Sequence, residues 1–352
     1  MLFKYVLFNF SPFLKRVFFF DSTLYQIFTY LPIFLLLSRK VSTKSIIFLI
    51  VVSCFSAMYY MVTNNIGIIS VLFIFVLLVF KPVFKEIEFD SFFRKFLVFF
   101  LVSFAYGAYQ KVYGYLPFEM IWIRAGVGAV NEAGYFVNDG IRPFSFYAGI
   151  PEFAFVCSIF GYWSFQRKQH LLCLVFFLML FYIGSRGIIV STFIAFLTMF
   201  ILQKKFFGFR AVFVAFTLNI ICYLMIFFAF PIFIKPLLVD AGRVAVFGTF
   251  NARVEMALEL YSQFQFDYFW FGYDAFQATT DNMYINLFVN YGIFGFIGIF
   301  LLFKFFSFDK KSAFFVSSMV GYSLYADTFN SIFLLLNFAV CVFSYEKNNS
   351  CK

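Results

Sequence analysis

Unbroken apolar runs of helical length recur along the whole chain, and nothing else constrains its fold as strongly. The runs are Val17 to Leu37, Ile46 to Met61, Ile66 to Phe80, Phe96 to Tyr113, Phe144 to Trp163, Leu171 to Ile183, Ile188 to Leu202, Ala211 to Ile234, Tyr284 to Phe303, Ala313 to Ala326 and Ser331 to Phe343, eleven in all. A bilayer-crossing helix needs about 20 apolar residues, and fewer when its ends reach the interface. Composition narrows the alternatives. Of 352 residues, 63% are apolar and 12% charged, with mean hydropathy +0.91, whereas soluble domains carry charge on about a quarter of their residues. A β-barrel would alternate apolar and polar residues along each strand. Helices satisfy their backbone polar groups within one segment. The expected fold is an all-α polytopic membrane protein, one integral membrane domain over residues 1–352 with about eleven transmembrane helices.

Basic residues orient these spans. With Arg39, Lys40 and Lys44 cytoplasmic, alternation puts Lys81 to Lys95, Arg167/Lys168, Lys204/Lys205/Arg210, Lys304/Lys310/Lys311 and the tail with Lys347 and Lys352 on the same side. Seventeen basic residues then lie inside and seven outside, apart from Lys4, Lys15 and Arg16, as the positive-inside rule requires. Merging Leu171 to Leu202 into one span would throw Lys204, Lys205 and Arg210 outside, so the turn Gly184-Ser185-Arg186-Gly187 is placed on the outer face. Met1 to Leu14 is left open between an interfacial segment and a further span. No small-residue cleavage site follows it, so the first span is expected to act as its own insertion signal.

The net charge of +10 belongs mainly to these loops and faces anionic lipid, so it does not point to nucleic acid. Six widely spaced cysteines without a CxxC pair, and one histidine, His170, suggest neither a disulfide frame nor a metal site. The glycines of Ala125 to Gly134 follow no strand and precede no Lys-Ser pair, which speaks against a phosphate loop. No Ser/His/Asp set and no soluble nucleotide-binding domain are evident.

Two outer loops, Gly114 to Pro143 and Lys235 to Met283, far exceed what hairpins require and are the expected seat of function. In the second, Asn251 as N-cap and Val254, Leu258, Tyr261 and Phe264 at helical spacing predict a helix over 252–264. The outer face carries five arginines (Arg124, Arg142, Arg186, Arg243, Arg253) and two lysines (Lys111, Lys235), while the inner face carries four Arg and thirteen Lys. Guanidinium suits paired phosphate or carboxylate oxygens. Two readings stand: an anionic ligand at the outer leaflet, or arginines paired with the nine outer carboxylates Glu119, Glu132, Asp139, Asp240, Glu255, Glu259, Asp267, Asp274 and Asp281. Arg186, between two short apolar segments, and Glu152, within a span, lie near membrane depth, where charge marks a site by default.

Four stretches taken in order resemble the bacterial O-antigen polymerase (Wzy-type) family, related to the O-antigen ligases. They are Arg142-Pro143 through Pro151-Glu152-Phe153-Ala154; Gly184-Ser185-Arg186-Gly187; Asn251-Ala252-Arg253; and Phe271-Gly272-Tyr273, then Asp281-Asn282-Met283-Tyr284, leading into Tyr291-Gly292-Ile293-Phe294-Gly295. The resemblance covers roughly residues 140–300. It implies a metal- and cofactor-independent glycosyltransferase of the bacterial inner membrane, facing the periplasm. Such an enzyme moves a growing glycan from its polyprenyl diphosphate onto a new lipid-linked repeat unit, for O-antigen or capsule.

By position Arg186 and Arg253 would hold the diphosphate, Arg142 would support donor or acceptor, and Arg243 and Tyr284 would complete substrate binding. Asp281 stands where the ligases commonly have histidine, which makes it the expected base, with Glu255 and Glu152 behind it. Tyr268, Phe269, Trp270 and Tyr273 suit either sugar stacking or interfacial anchoring. The implied partners are lipid-linked donor and acceptor, membrane lipid, a chain-length regulator and a flippase. A ligase, or a lipid-linked oligosaccharide carrier, is the alternative.

Overall fold

The computed structural model describes residues 2–18, 47, 50, 51, 54, 58, 81–124, 136–137, 140–147, 149–202, 208–229, 268–272, 282–325 and 331–346. They are overwhelmingly helical: α1 (Leu2–Phe18), α2 (Lys81–Phe84), α3 (Phe89–Tyr113), α4 (Pro117–Arg124), α5 (Ile150–Gln166), α6 (His170–Ile183), α7 (Arg186–Leu202), α8 (Phe209–Ala229), α9 (Tyr268–Phe271), α10 (Met283–Phe306), α11 (Lys310–Tyr322) and α12 (Ile332–Phe343). A two-residue antiparallel pair, β1 (Phe136–Val137) with β2 (Gly140–Ile141), interrupts them.

Among the described residues, α3 and α10 are long and apolar enough to cross a membrane, at 25 and 24 residues. His170–Ile183, Arg186–Leu202, Phe209–Met225 and Phe333–Phe343 are shorter apolar helices. The expected spans Val17 to Leu37, Ile46 to Met61 and Ile66 to Phe80 lie largely or wholly outside the described residues, as does the helix expected over 252–264.

The chain forms two compact units. Unit 1 comprises Met1–Leu49, Val76–Ile189 and Ala339–Lys352; unit 2 comprises Ile50–Phe75 and Val190–Phe338.

Unit 1 is built on the phenylalanines of α3. Phe89, Phe92, Phe93, Phe96 and Phe100 recur at helical spacing and are buried, so one face of the helix is a strip of rings. α1 lies against this strip, with the Tyr5 ring 5.0 Å from Phe92 and 4.8 Å from Phe96. The N-terminal segment is therefore a packed helix of unit 1. On the other side α5 is buried on nearly every face, and its Phe160 meets Phe100 at 4.6 Å and Phe176 of α6 at 5.5 Å. Gly107 lets α5 approach α3, because a Cβ there would lie 2.8 Å from the Phe153 ring.

The start of α3 meets the C-terminal tail. Phe89 N donates to Tyr345 O and Tyr345 N to Ile87 O, each at 2.9 Å. At this end the Asp90 carboxylate accepts hydrogen bonds from Arg94 (2.6 Å) and Trp163 Nε1 (3.0 Å) and lies 3.6 Å from Arg167.

In unit 2, α8 packs on α10 through Phe216, whose ring lies 5.1 Å from Tyr284 and 4.7 Å from Phe300, and α11 meets α10 where the Tyr284 hydroxyl donates to Val320 O. α7 joins through Phe196 against Phe314 at 4.7 Å. α11 opens with a reciprocal capping box between Asp309 and Ser312. α10 is kinked at Gly292 (φ 62°, ψ −158°), a conformation that favours glycine.

Candidate functional site

The end of unit 1 opposite Asp90 and the tail collects the segments that bear Arg142, Glu152 and Arg186. α3 ends there at Gly114. Lys111, in its last turn, sends Nζ to the carbonyl of Tyr182 at 2.6 Å and lies 4.3 Å from the centre of that ring. This places a cation on the C-terminal turn of α6, where it complements the helix dipole. α6 stops at Gly184, left-handed at φ 82°, whose N–H bonds to Leu180 O. α7 begins two residues later at Arg186, so Leu171 to Leu202 is two helices joined by a tight turn, as the charge distribution required. Arg186 is exposed and opens a helix with no acidic residue in its first turn. The guanidinium thus sits at the positive end of the α7 dipole, an arrangement whose combined charge favours an anion.

α5 was expected from Phe144 but starts at Ile150. Phe144 to Tyr147 instead form a turn, and polar contacts rather than hydropathy decide its shape. Gln110 Oε1 accepts the N–H groups of Phe144 (3.1 Å) and Ser145 (2.8 Å). Ser145 sits in the left-handed region at φ 55°, which few residues other than glycine adopt. It persists there because all its polar groups are engaged. Its hydroxyl donates to Ser103 O and its carbonyl accepts Arg16 Nη2 at 2.6 Å.

Arg16 is 0% exposed. It also donates through Nη1 to Tyr147 O at 3.0 Å, and its guanidinium lies 4.3 Å from the Phe144 ring centre and 5.6 Å from that of Trp122. A charge removed from water is tolerated only when such partners surround it.

Glu119, in the first turn of α4, is equally buried. Its Oε1 accepts Gln110 Nε2 at 2.8 Å, and its Oε2 accepts Leu116 N at 3.1 Å. Burial pushes its carboxyl above the usual carboxylate range, while the Arg16 charge and the donors at Leu116, Tyr106 and Gln110 pull it down.

Glu152 is buried at 7% exposure near the start of α5. A Cβ built on Gly149 would lie 2.9 Å from Glu152 Oε2, so the carboxylate folds back over the helix N-cap. Arg142 is half-buried, and its carbonyl accepts the Tyr115 hydroxyl at 2.6 Å.

The remaining expected residues divide in two. Arg243, Arg253, Glu255 and Asp281 lie outside the described residues. Tyr284 lies in unit 2, buried at 4% exposure, with its hydroxyl donating to Val320 O at 2.9 Å. Its ring and hydroxyl are engaged within the helices of unit 2.

Its neighbour Asn282 caps α10, accepting Tyr284 N (3.0 Å) and Ile285 N (3.2 Å). Gly272 (φ 78°) lies so close to α10 that a Cβ would come within 2.3 Å of Asn290 C and 2.4 Å of Tyr291 N. The Phe271-Gly272 and Tyr291-Gly292 stretches, distant in sequence, thus touch through their backbones.

Arg16, Gln110 and Ser145 were not anticipated. The available signal was Arg16 itself, a cation that the expected topology leaves on the outer side, where the positive-inside rule disfavours it, together with Glu119, one of the expected outer carboxylates open to an arginine partner. No group of three or more His, Cys, Asp or Glu residues suited to a metal occurs among the described residues. No family model, curated protein or solved structure matches this chain.

Proposed function

We propose that this chain is a polysaccharide polymerase of the inner membrane, a multi-pass glycosyltransferase that joins polyprenyl-diphosphate-linked repeat units at the outer face. The observation that carries the reading is the gathering of the segments bearing Arg142, Glu152 and Arg186 at one end of unit 1, around the Gly184 turn and the ends of α3 and α6. The exposed apolar residues Val98, Leu101 and Val102 on α3 give it a side suited to hydrocarbon, which supports a membrane setting.

In the reaction, a sugar hydroxyl of the acceptor unit attacks the anomeric carbon of the donor glycan. The carbon–oxygen bond to the diphosphate breaks, and the diphosphate leaves with the electron pair. A carboxylate takes the hydroxyl proton: Asp281 first, with Glu255 and Glu152 as further candidates. Arg186 and Arg253 bind the diphosphate and stabilise its developing charge, with Arg142, Arg243 and Tyr284 assigned to substrate binding.

Purified protein in nanodiscs, given only the lipid-linked repeat unit, should yield a glycan ladder spaced by one unit. Arg186→Ala should slow its growth about a hundredfold or more, the usual effect of losing one oxyanion donor. An abundant, inserted Arg186→Ala protein with full activity would refute the assignment. A single band that lengthens only when a different acceptor is supplied would make the protein a ligase.

A further inference from the structure

We propose that Arg16 is a positioning residue of this site, holding the Phe144–Tyr147 turn that sets Arg142 and Glu152 in place. The proposal rests on the polymerase reading for its chemistry and on geometry for its mechanism.

Arg16 belongs to α1, far in sequence from every residue expected to act, yet its guanidinium is shared between two carbonyls of one turn, those of Ser145 and Tyr147. That turn lies directly between Arg142-Pro143 and the N-cap Gly149. Its backbone is held from both sides, with two N–H groups on Gln110 and two carbonyls on Arg16. The left-handed Ser145 is the expensive element, and such a conformation survives only where surroundings over-determine it.

Moving the turn moves Gly149, and with it the Glu152 carboxylate that lies against Gly149. Arg is required because only a planar fork reaches both carbonyls while stacking on Phe144. A lysine keeps the charge but reaches one carbonyl at a time.

The test uses full-length protein in nanodiscs and two variants that approach the turn from opposite sides. Arg16→Lys retains the buried charge. Gly149→Ala leaves Arg16 untouched; its φ of −164° is open to alanine, but the new methyl displaces Glu152. Hydrogen exchange is read on peptides covering Phe144 to Tyr147, and ladder growth is read as kcat and KM for the lipid-linked unit.

Arg16→Lys should raise exchange in those peptides about tenfold. Both variants should lower kcat on the order of tenfold to a hundredfold with KM within twofold, since displacements of about 1 Å have such effects. A merely structural residue would lower the active fraction without altering kcat per folded molecule. Unchanged exchange in Arg16→Lys, unchanged kcat in Gly149→Ala, or a raised KM at constant kcat would overturn the proposal. If the wild type makes no ladder, the polymerase reading fails separately, and exchange still decides whether Arg16 holds the turn.

Discussion

Gln110 and Asn219 are both amides at 0% exposure, one in each unit, and they are satisfied in opposite ways. Gln110 joins three segments, donating to Glu119 of α4 and accepting two N–H groups from the 144–145 turn. Asn219 donates to Ala215 O, one turn back on its own helix, at 2.7 Å, and its Oδ1 has no hydrogen-bond partner. Ser323 repeats the local pattern, donating to Met319 O. A polar group that bonds within its own helix can be buried anywhere the helix goes. One that bonds across segments fixes their arrangement, and unit 1 has built such a network beside the residues expected to do chemistry.

Breaking that network should have the largest effect. Gln110→Ala leaves two buried N–H groups without acceptors and should lower stability by about 3 kcal/mol, since each orphaned group costs about 1–3. A clear fall in the apparent Tm of detergent-purified protein would record it, and a loss no greater than that of an exposed substitution would break the comparison.

A smaller effect follows from Glu119. Its folded carboxyl is raised above the ordinary 4.5 by burial, so the folded protein binds the proton more tightly than the unfolded chain. Its contribution to stability is complete below pH 4.5 and is lost as pH rises through the folded value. The Tm of the wild type should therefore carry a falling component from pH 4.5 upward that Glu119→Gln removes; an identical pH slope in the variant would assign the titration elsewhere. Asn219→Ala should have the smallest effect, within about 1 kcal/mol, because it removes one local hydrogen bond together with a buried Oδ1 that has no hydrogen-bond partner. A loss as large as that of Gln110→Ala would mean the two amides are equivalent.

Much of the helical plan was legible. The break at Gly184 was forced by loop charge, and the α5–α6 hairpin by the basic turn between its apolar runs. Hydropathy failed at Phe144 to Tyr147, which are as apolar as a span but are pinned as a turn by Gln110 and Arg16. Periodicity reports only which face of a helix is buried, so it cannot show that Arg16 is enclosed by a turn more than a hundred residues away. Tyr284 and Gly272 stood out as motif residues, yet their visible work is a hydrogen bond to Val320 and a backbone contact with Asn290. A motif marks constraint, and sequence alone does not separate constraint by packing from constraint by substrate.

Unit 1 is assembled from three separated stretches of chain, and this bears on the order in which it can be made. Arg16 precedes Tyr147 by 131 residues, so during synthesis its guanidinium must remain hydrated or at a headgroup until that turn has emerged. Tyr345, which pairs with the start of α3, is translated after the whole of Val190–Phe338, the larger stretch of unit 2. Unit 1 is thus closed only after the larger stretch of unit 2 has been made, and the candidate site belongs to a unit whose contacts with Tyr345 form later than that stretch.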